Sequence, residues 1–252
     1  MPRTPIVAGN WKMNTLRAEA VALARGVRER CDVVAGVEKI VCPPFVFLHD
    51  VAAEVAGSSI ALGAQTVYWE ESGAFTGEVS VTQVAEAARY AIIGHSERRQ
   101  FFGETDETVN KRVRSALGHG LLPIMCVGET LAQREAGETE AVLVRQVRDG
   151  AGDIAVSESF IVAYEPVWAI GTGLAANGET AQRAIGLIRE TLRGLRGAAA
   201  DSMRILYGGS VTGENMSEFM AQPDIDGGLV GGASLKVEAF ASIVEAAAAA
   251  RT

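Results

Sequence analysis

The sequence predicts an α/β fold in which eight parallel strands alternate with helices and close into a single (β/α)8 barrel spanning residues 1–252. Three observations carry that prediction. Eight short apolar or β-branched runs are spread along the chain, segments of helical periodicity separate them, and polar side chains follow several of the runs directly. A helical crossover returns the chain in the same direction, so repeated strand and helix units give a parallel sheet, and eight such strands can close. An open doubly wound sheet fits the first two observations as well. The third favours the barrel, which gathers those polar residues at the carboxyl ends of its strands, where barrel enzymes carry their chemistry.

The first run, Ile6 to Ala8, leads into Asn10 and Lys12, and a segment of helical spacing covers Arg17 to Arg30. Lys39 to Cys42 and Ile60 to Gly63 are the second and third runs, joined by a shorter stretch of weak helical pattern, and Gln65 follows the third. Tyr90 to Ile93 precedes His95 and Glu97, with helical spacing again from Thr105 to Leu117. Leu122 to Val127 precedes Glu129, and Phe160 to Ala163 precedes Glu165 and Pro166, a residue that cannot continue a central strand. After a helical segment from Glu179 to Leu195 come Arg204 to Tyr207 and Gly228 to Val230, with a second short connection between them and a closing helix from Leu235 to Ala249. No Pro-rich, Ser-rich or charged linker interrupts the series, so one domain is expected.

Nearly half of the 252 residues are hydrophobic, enough to build a sizeable core. A net charge of -8 disfavours nucleic acid or an anionic membrane as partner, so an anionic substrate needs a local positive site. Cys31, Cys42 and Cys126 form no CxxC pair, which argues against a disulfide framework or a zinc site and for reduced thiols in the cytoplasm. No apolar stretch approaches the ~20 residues of a membrane span, and the apolar run after the N-terminus is too short for a signal peptide. Neither a metal nor a cofactor is expected.

Four segments carry candidate chemistry, each with a plainer reading beside it. Lys12 can be a solvated surface charge, but Asn10, Trp11 and Asn14 around it suit an ammonium fixed beside an anionic ligand. His95 can simply bond the backbone; with Ser96 as the cap of a following helix, the positive end of the helix would instead keep it neutral and make it a hydrogen-bond donor. Glu165 can be a salt-bridge partner. The segment after it, Val167 to Gly173, is apolar with two glycines and reads as a flap able to exclude water from a neighbouring carboxylate. The turns Gly208-Gly209-Ser210 and Gly231-Gly232-Ala233-Ser234 can be plain turns, but after the last two strands they match a phosphate site of barrels, with a helix after residue 232 offering its N-terminus.

In order along the chain, GNWKMN at 9–14, GAFTGEVS at 73–80, IIGHSERR at 92–99, YEPVWAIGTG at 164–173, and the YGGSV and LVGGASL motifs near the end closely resemble the triosephosphate isomerase family. The resemblance runs from Asn10 to Leu235. It implies the TIM barrel and the interconversion of dihydroxyacetone phosphate and D-glyceraldehyde 3-phosphate through an enediolate, a step of glycolysis and gluconeogenesis. It implies Glu165 as the base, with neutral His95, Lys12 and Asn10 stabilising the oxygen that gains charge. Asn10 and Lys12 would also bind substrate, and backbone N–H groups at Gly171, Ser210, Gly231 and Gly232 would hold the phosphate. The lid would comprise Pro166, Val167, Trp168, Ala169, Ile170, Gly171, Thr172, Gly173, Leu174, Ala175 and Ala176. Glu97 and Cys126 also match family positions, the former without an assigned role and the latter as packing support. The chain departs from the common pattern at Thr66, often Asn, and at Leu174, often Lys; the first bears on support around Lys12 and the second on lid kinetics.

The segment Val67 to Ser80 is long for a βα connection and carries Tyr68, Trp69 and Phe75, an apolar surface that a monomer would expose. The family inserts this loop into a twin subunit, so a homodimer is expected. Two other readings remain at this point. One is a Schiff-base aldolase on the same fold with Lys12 as nucleophile, although the polar setting of Lys12 gives little reason for the lowered pKa such chemistry needs. The other is a silent phosphate-binding protein.

Overall fold

The computed structural model describes residues 3–152, 154, 160–169 and 176–250. Eight strands, β1 (Ile6–Asn10), β2 (Glu38–Cys42), β3 (Ile60–Ala64), β4 (Tyr90–Ile93), β5 (Leu122–Val127), β6 (Ile161–Tyr164), β7 (Arg204–Tyr207) and β8 (Gly227–Val230), form one closed barrel in chain order. Every pairing is parallel, and Ile6 opposite Gly227 joins the last strand to the first. β1 runs two residues past its expected end, to Asn10, and each other strand lies within about a residue of its expected run.

The alternation of side chains along a strand sorts the core into two layers. Ile6, Ala8, Ile40, Ile92, Cys126 and Leu206 point into the barrel. Their neighbours Val7, Val41, Ile93, Val127 and Ile205 belong to the thicker layer under the helices. Both faces of every strand are buried, which is why the runs read as continuous rather than alternating apolar stretches.

The long helices are α1 (Arg17–Cys31), α5 (Asp106–Gly118), α7 (Thr139–Ala151), α8 (Gly178–Arg196) and α10 (Val237–Ala249); shorter ones are α2 (Leu48–Val55), α3 (Val81–Ala85), α4 (Ser96–Phe101), α6 (Leu131–Glu135) and α9 (Gly213–Met220). In α1 the buried Ala20, Leu23, Ala24, Val27 and Cys31 recur three or four residues apart, the stripe that seats it on the barrel. Thr105 starts α5 by accepting from the Thr108 N–H, and Asn177 starts α8 by accepting from Thr180 at 2.9 Å. The closing α-helix begins at Val237, and the stretch just after residue 232 is a 3-10 turn, Gly232–Leu235, in place of the expected α-helical start.

At the amino ends of the strands a network of charges ties the barrel shut. Arg189 of α8 pairs with Asp224 at 3.0 Å and Asp226 at 2.9 Å and donates to the carbonyls of Ala200 and Met203. Asp226 also accepts from Arg3 and from the Ile205 N–H. Glu38 bridges Tyr90 and Arg204 across the same end. The three cysteines are buried and unpaired, and burial pushes the Cys42 thiol up to about 12. No helix among the described residues is long and apolar enough to cross a membrane.

Candidate active site

Glu165 stands one residue beyond β6. Its N–H donates to the Val127 carbonyl at 2.8 Å, continuing the ladder with β5, and beyond Pro166, which has no N–H to give, the Val167 N–H donates to the Glu129 carbonyl at 3.2 Å. Glu165 is 2% exposed. Its Oε1 accepts from His95 Nε2 at 2.8 Å and lies 3.4 Å from Ser96 Oγ, while Oε2 accepts from the Ser96 N–H at 2.8 Å. Close approach of neighbouring backbone is what lets this position be so enclosed. A Cβ at Gly128 would overlap the Glu165 carbonyl, and one at Gly208 would come within 2.9 Å of Glu165 Cγ. Burial pushes the carboxyl pKa up; the charge and hydrogen bond of His95, with the Ser96 N–H and Lys12, outweigh it and hold the group below its ordinary value of 4.5.

His95 follows β4 and is itself the cap of α4, accepting at Nδ1 from the Glu97 N–H at 3.2 Å. Ser96, the expected cap, is instead the first helical residue, and its N–H is therefore free to reach Glu165. Burial lowers the imidazole pKa, but Glu165 and then Glu97 raise it, and the net direction is upward from 6.5. The helix end expected to keep His95 neutral is thus opposed by two carboxylates. What favours the neutral form is the cap bond: a nitrogen that accepts carries no proton, leaving the single proton on Nε2, directed at Glu165.

Lys12 has φ 54, a left-handed backbone that an L-residue adopts only at a cost of roughly 1–3 kcal/mol. Its surroundings hold it there. Asn10 Oδ1 accepts from the Lys12 N–H at 3.0 Å, and Gln65 Nε2 donates to the Lys12 carbonyl at 2.8 Å and to Cys42 at 3.0 Å. The ammonium meets Glu97 Oε1 at 2.6 Å, which gives Glu97 a role that the sequence left unassigned. Thr66 supports a different partner: its hydroxyl accepts from the buried Arg112, leaving the hold on Lys12 to Gln65.

These groups open into one cleft of about 400 Å³ lined by Asn10, Lys12, His95, Glu165, Gly209, Ser210, Gly231 and Gly232 among others. The cleft brings together every described residue expected to act on or bind the substrate, the lid residues apart. A Cβ at Gly231 would lie 3.9 Å from Lys12 Nζ, so the glycine turn runs beside the ammonium. The first N–H groups of the 3-10 turn from Gly232 have no partner within the turn and remain available to an anion. Cys126 is buried beside Glu165, and burial first, then that carboxylate, raises its thiol well above the usual range, consistent with packing support.

Of the expected lid, Pro166, Val167, Trp168, Ala169 and Ala176 are described, with Val167–Ala169 forming a 3-10 turn. Ile170, Gly171, Thr172, Gly173, Leu174 and Ala175 lie outside the described residues. Trp168 Nε1 donates to Glu129 at 2.9 Å, Tyr164 donates to the same fully buried carboxylate at 3.1 Å, and Arg134 stacks over the indole at 4.3 Å. Glu129 was legible only as a polar residue after a strand. Ser96 was legible only as a helix cap, and Gln146, which accepts from the Gly128 N–H at 2.7 Å and so fixes the backbone against Glu165, carried no signal of a part in the site.

A closed parallel barrel with a buried carboxylate, an imidazole and an ammonium gathered where its strands end defines an enzyme of the barrel class, and the glycine turns beside the ammonium suit a small anionic substrate. The chain belongs to the triosephosphate isomerase family, whose model matches residues 5–247. It is 53% identical to the triosephosphate isomerase of Moorella thermoacetica over 245 residues, covering 96% of this chain and 98% of that one. It is equally close to that of Citrifermentans bemidjiense, 53% over 246 residues with the same coverage. The counterpart from Dehalococcoides mccartyi is 49% identical over 247 residues, 98% of this chain and 97% of the relative.

Proposed function

We propose that this isomerase interconverts dihydroxyacetone phosphate and D-glyceraldehyde 3-phosphate, with Glu165 taking a proton from one carbon and returning it to the next. The observation that carries this reading is the placement of a buried carboxylate 2.8 Å from His95 Nε2 in the cleft that also holds Lys12 and both glycine turns. A carboxylate is a weak base toward carbon, so the oxygen that gains charge needs help. His95 Nε2, the Lys12 ammonium and the Asn10 amide supply it, each such donor being worth roughly 3–4 kcal/mol in the transition state. Ser210, Gly231 and Gly232, together with Gly171, hold the phosphate, and the segment 166–176 closes over it, excluding water so that the enediolate is not lost to phosphate elimination.

The ion pair of Lys12 with Glu97 favours this role over a Schiff base, since a lysine held as a charge is not a free nucleophile. The reaction as drawn needs neither metal nor cofactor. The same reading takes the chain as one barrel domain working in the cytoplasm.

It also takes the chain as a homodimer joined through Val67 to Ser80. Tyr68 and Trp69 are less exposed than the sequence suggested: they stack at 4.1 Å and lie against Arg112. Phe75 at the loop's tip is 41% exposed, and Met13, Phe101 and Phe102 are more so, apolar surface that a second copy would cover.

A coupled assay of glyceraldehyde 3-phosphate conversion without added metal tests the activity; fast turnover is expected. Phosphate binding without turnover would leave a silent binder. Sedimentation at micromolar concentration should give a dimer, and a monomer contradicts the assembly.

A further inference from the structure

Glu165 also lines a second cleft, of about 370 Å³, that shares no other lining residue with the first. It lies past the ends of β4, β5 and β6, and its walls include Ser96, Arg99, Asp106, Thr130, Arg145 and Gln146. At roughly 30 Å³ per water it has room for about ten, with polar partners on every wall. Its cations are already satisfied. Arg99 donates to the Gly94 and Cys126 carbonyls and meets Asp106 at 2.6 Å, and Arg145 reaches the other oxygen of Asp106 at 3.0 Å. The cleft is therefore suited to water rather than to an anion. Arg145 is about half exposed, which opens the mouth to solvent.

Where this cleft meets the base stands the Ser96 hydroxyl. Ser96 lines the second cleft, and its Oγ is 3.4 Å from Glu165 Oε1. A base that takes a proton from carbon holds it until it is returned, and during that interval any path to water lets it exchange.

We propose that the second cleft is the route by which the proton held on Glu165 exchanges with solvent, with the Ser96 hydroxyl as the relay; the proposal rests on the isomerase reading. The carboxyl O–H gives its proton to Ser96 Oγ as the Ser96 O–H gives its own to a water in the cleft. Glu165 is left as carboxylate with a hydronium beyond the serine. The same path in reverse returns a solvent proton to Glu165, so charge and atoms balance and only the identity of the proton changes.

The test uses dihydroxyacetone phosphate deuterated at the carbon that loses its hydron, converted in ordinary water with the product trapped at once and its retained label read by mass spectrometry. The native chain should lose part of the label. Ser96→Ala keeps the backbone N–H on Glu165 and should slow label loss relative to transfer by about tenfold, less than the roughly 10²–10⁴-fold that one positioned proton-transfer group can contribute. Ser96→Thr, which keeps the hydroxyl, should restore the loss. Arg145→Trp, covering the mouth, should raise label retention at near-native turnover and stands independently of how Ser96→Ala folds. Native-like label loss in both Ser96→Ala and Arg145→Trp overturns the route, as does full retention by the native chain. Absence of native turnover defeats the isomerase reading instead, so the two failures are distinguishable.

Discussion

At the amino ends of the strands Arg189 shares its guanidinium among the Asp224 and Asp226 carboxylates and three carbonyls, whereas at the carboxyl ends Lys12 hangs on a strained backbone and Glu165 relies on an imidazole, an N–H and a distant hydroxyl. Both ends bury charge. The first saturates it with fixed partners, as a structural network must in a medium of low dielectric. The second surrounds it with groups that can change partner or proton. In a barrel this division is a consequence of geometry, because one end is closed by short connections and the other carries the loops that meet substrate.

The contrast predicts separable losses. Arg189→Met should remove about 3–5 kcal/mol of stability by taking from Asp226 the buried one of its two arginine partners, while KM and kcat of the folded fraction stay near native; urea unfolding beside the activity assay checks this. His95→Gln should act chiefly on turnover, lowering kcat by about 10²–10³-fold while also removing the stability that the depressed Glu165 pKa supplies at neutral pH. It should also move the acid limb of kcat/KM upward. Burial raises the Glu165 pKa and His95 is the largest influence holding it below 4.5, so its removal lets burial prevail. In linkage terms, the depressed Glu165 pKa stabilises the native chain above pH 4.5, and that stability disappears as pH falls through the folded value. An unmoved limb would mean that another group sets it.

Smaller effects sharpen the same division. Gly208→Ala places a Cβ 2.9 Å from Glu165 Cγ and should cost about tenfold in kcat, a fraction of the ~10²-fold that a 1 Å displacement can cost. Arg25→Ala, which breaks the exposed pair with Glu54 at 3.2 Å, should change neither melting temperature nor turnover measurably.

The strands and the long helices were legible because their signals are local: short apolar runs, and helical spacing between them. Glu165, His95 and Lys12 could be placed at one face by the same reasoning, since each follows a strand. Their supports could not. That Gln65 holds Lys12, that Gln146 fixes Gly128 against Glu165, and that Glu129 receives both Tyr164 and Trp168 depend on which neighbours the closed barrel sets side by side. The cap of α4 was misread by one residue for a related reason: serine has the better local propensity, but His95 takes the position from which it meets Glu165.

The central claim is that Glu165 is the base, and the most direct test compares the native chain with Glu165→Asp in the coupled assay, with a thermal melt of each. Shortening the side chain retreats the carboxylate by about 1 Å and should lower kcat by about 10²-fold while leaving the fold intact. Native-like turnover by Glu165→Asp would contradict the assignment and move the search for the base elsewhere in the cleft.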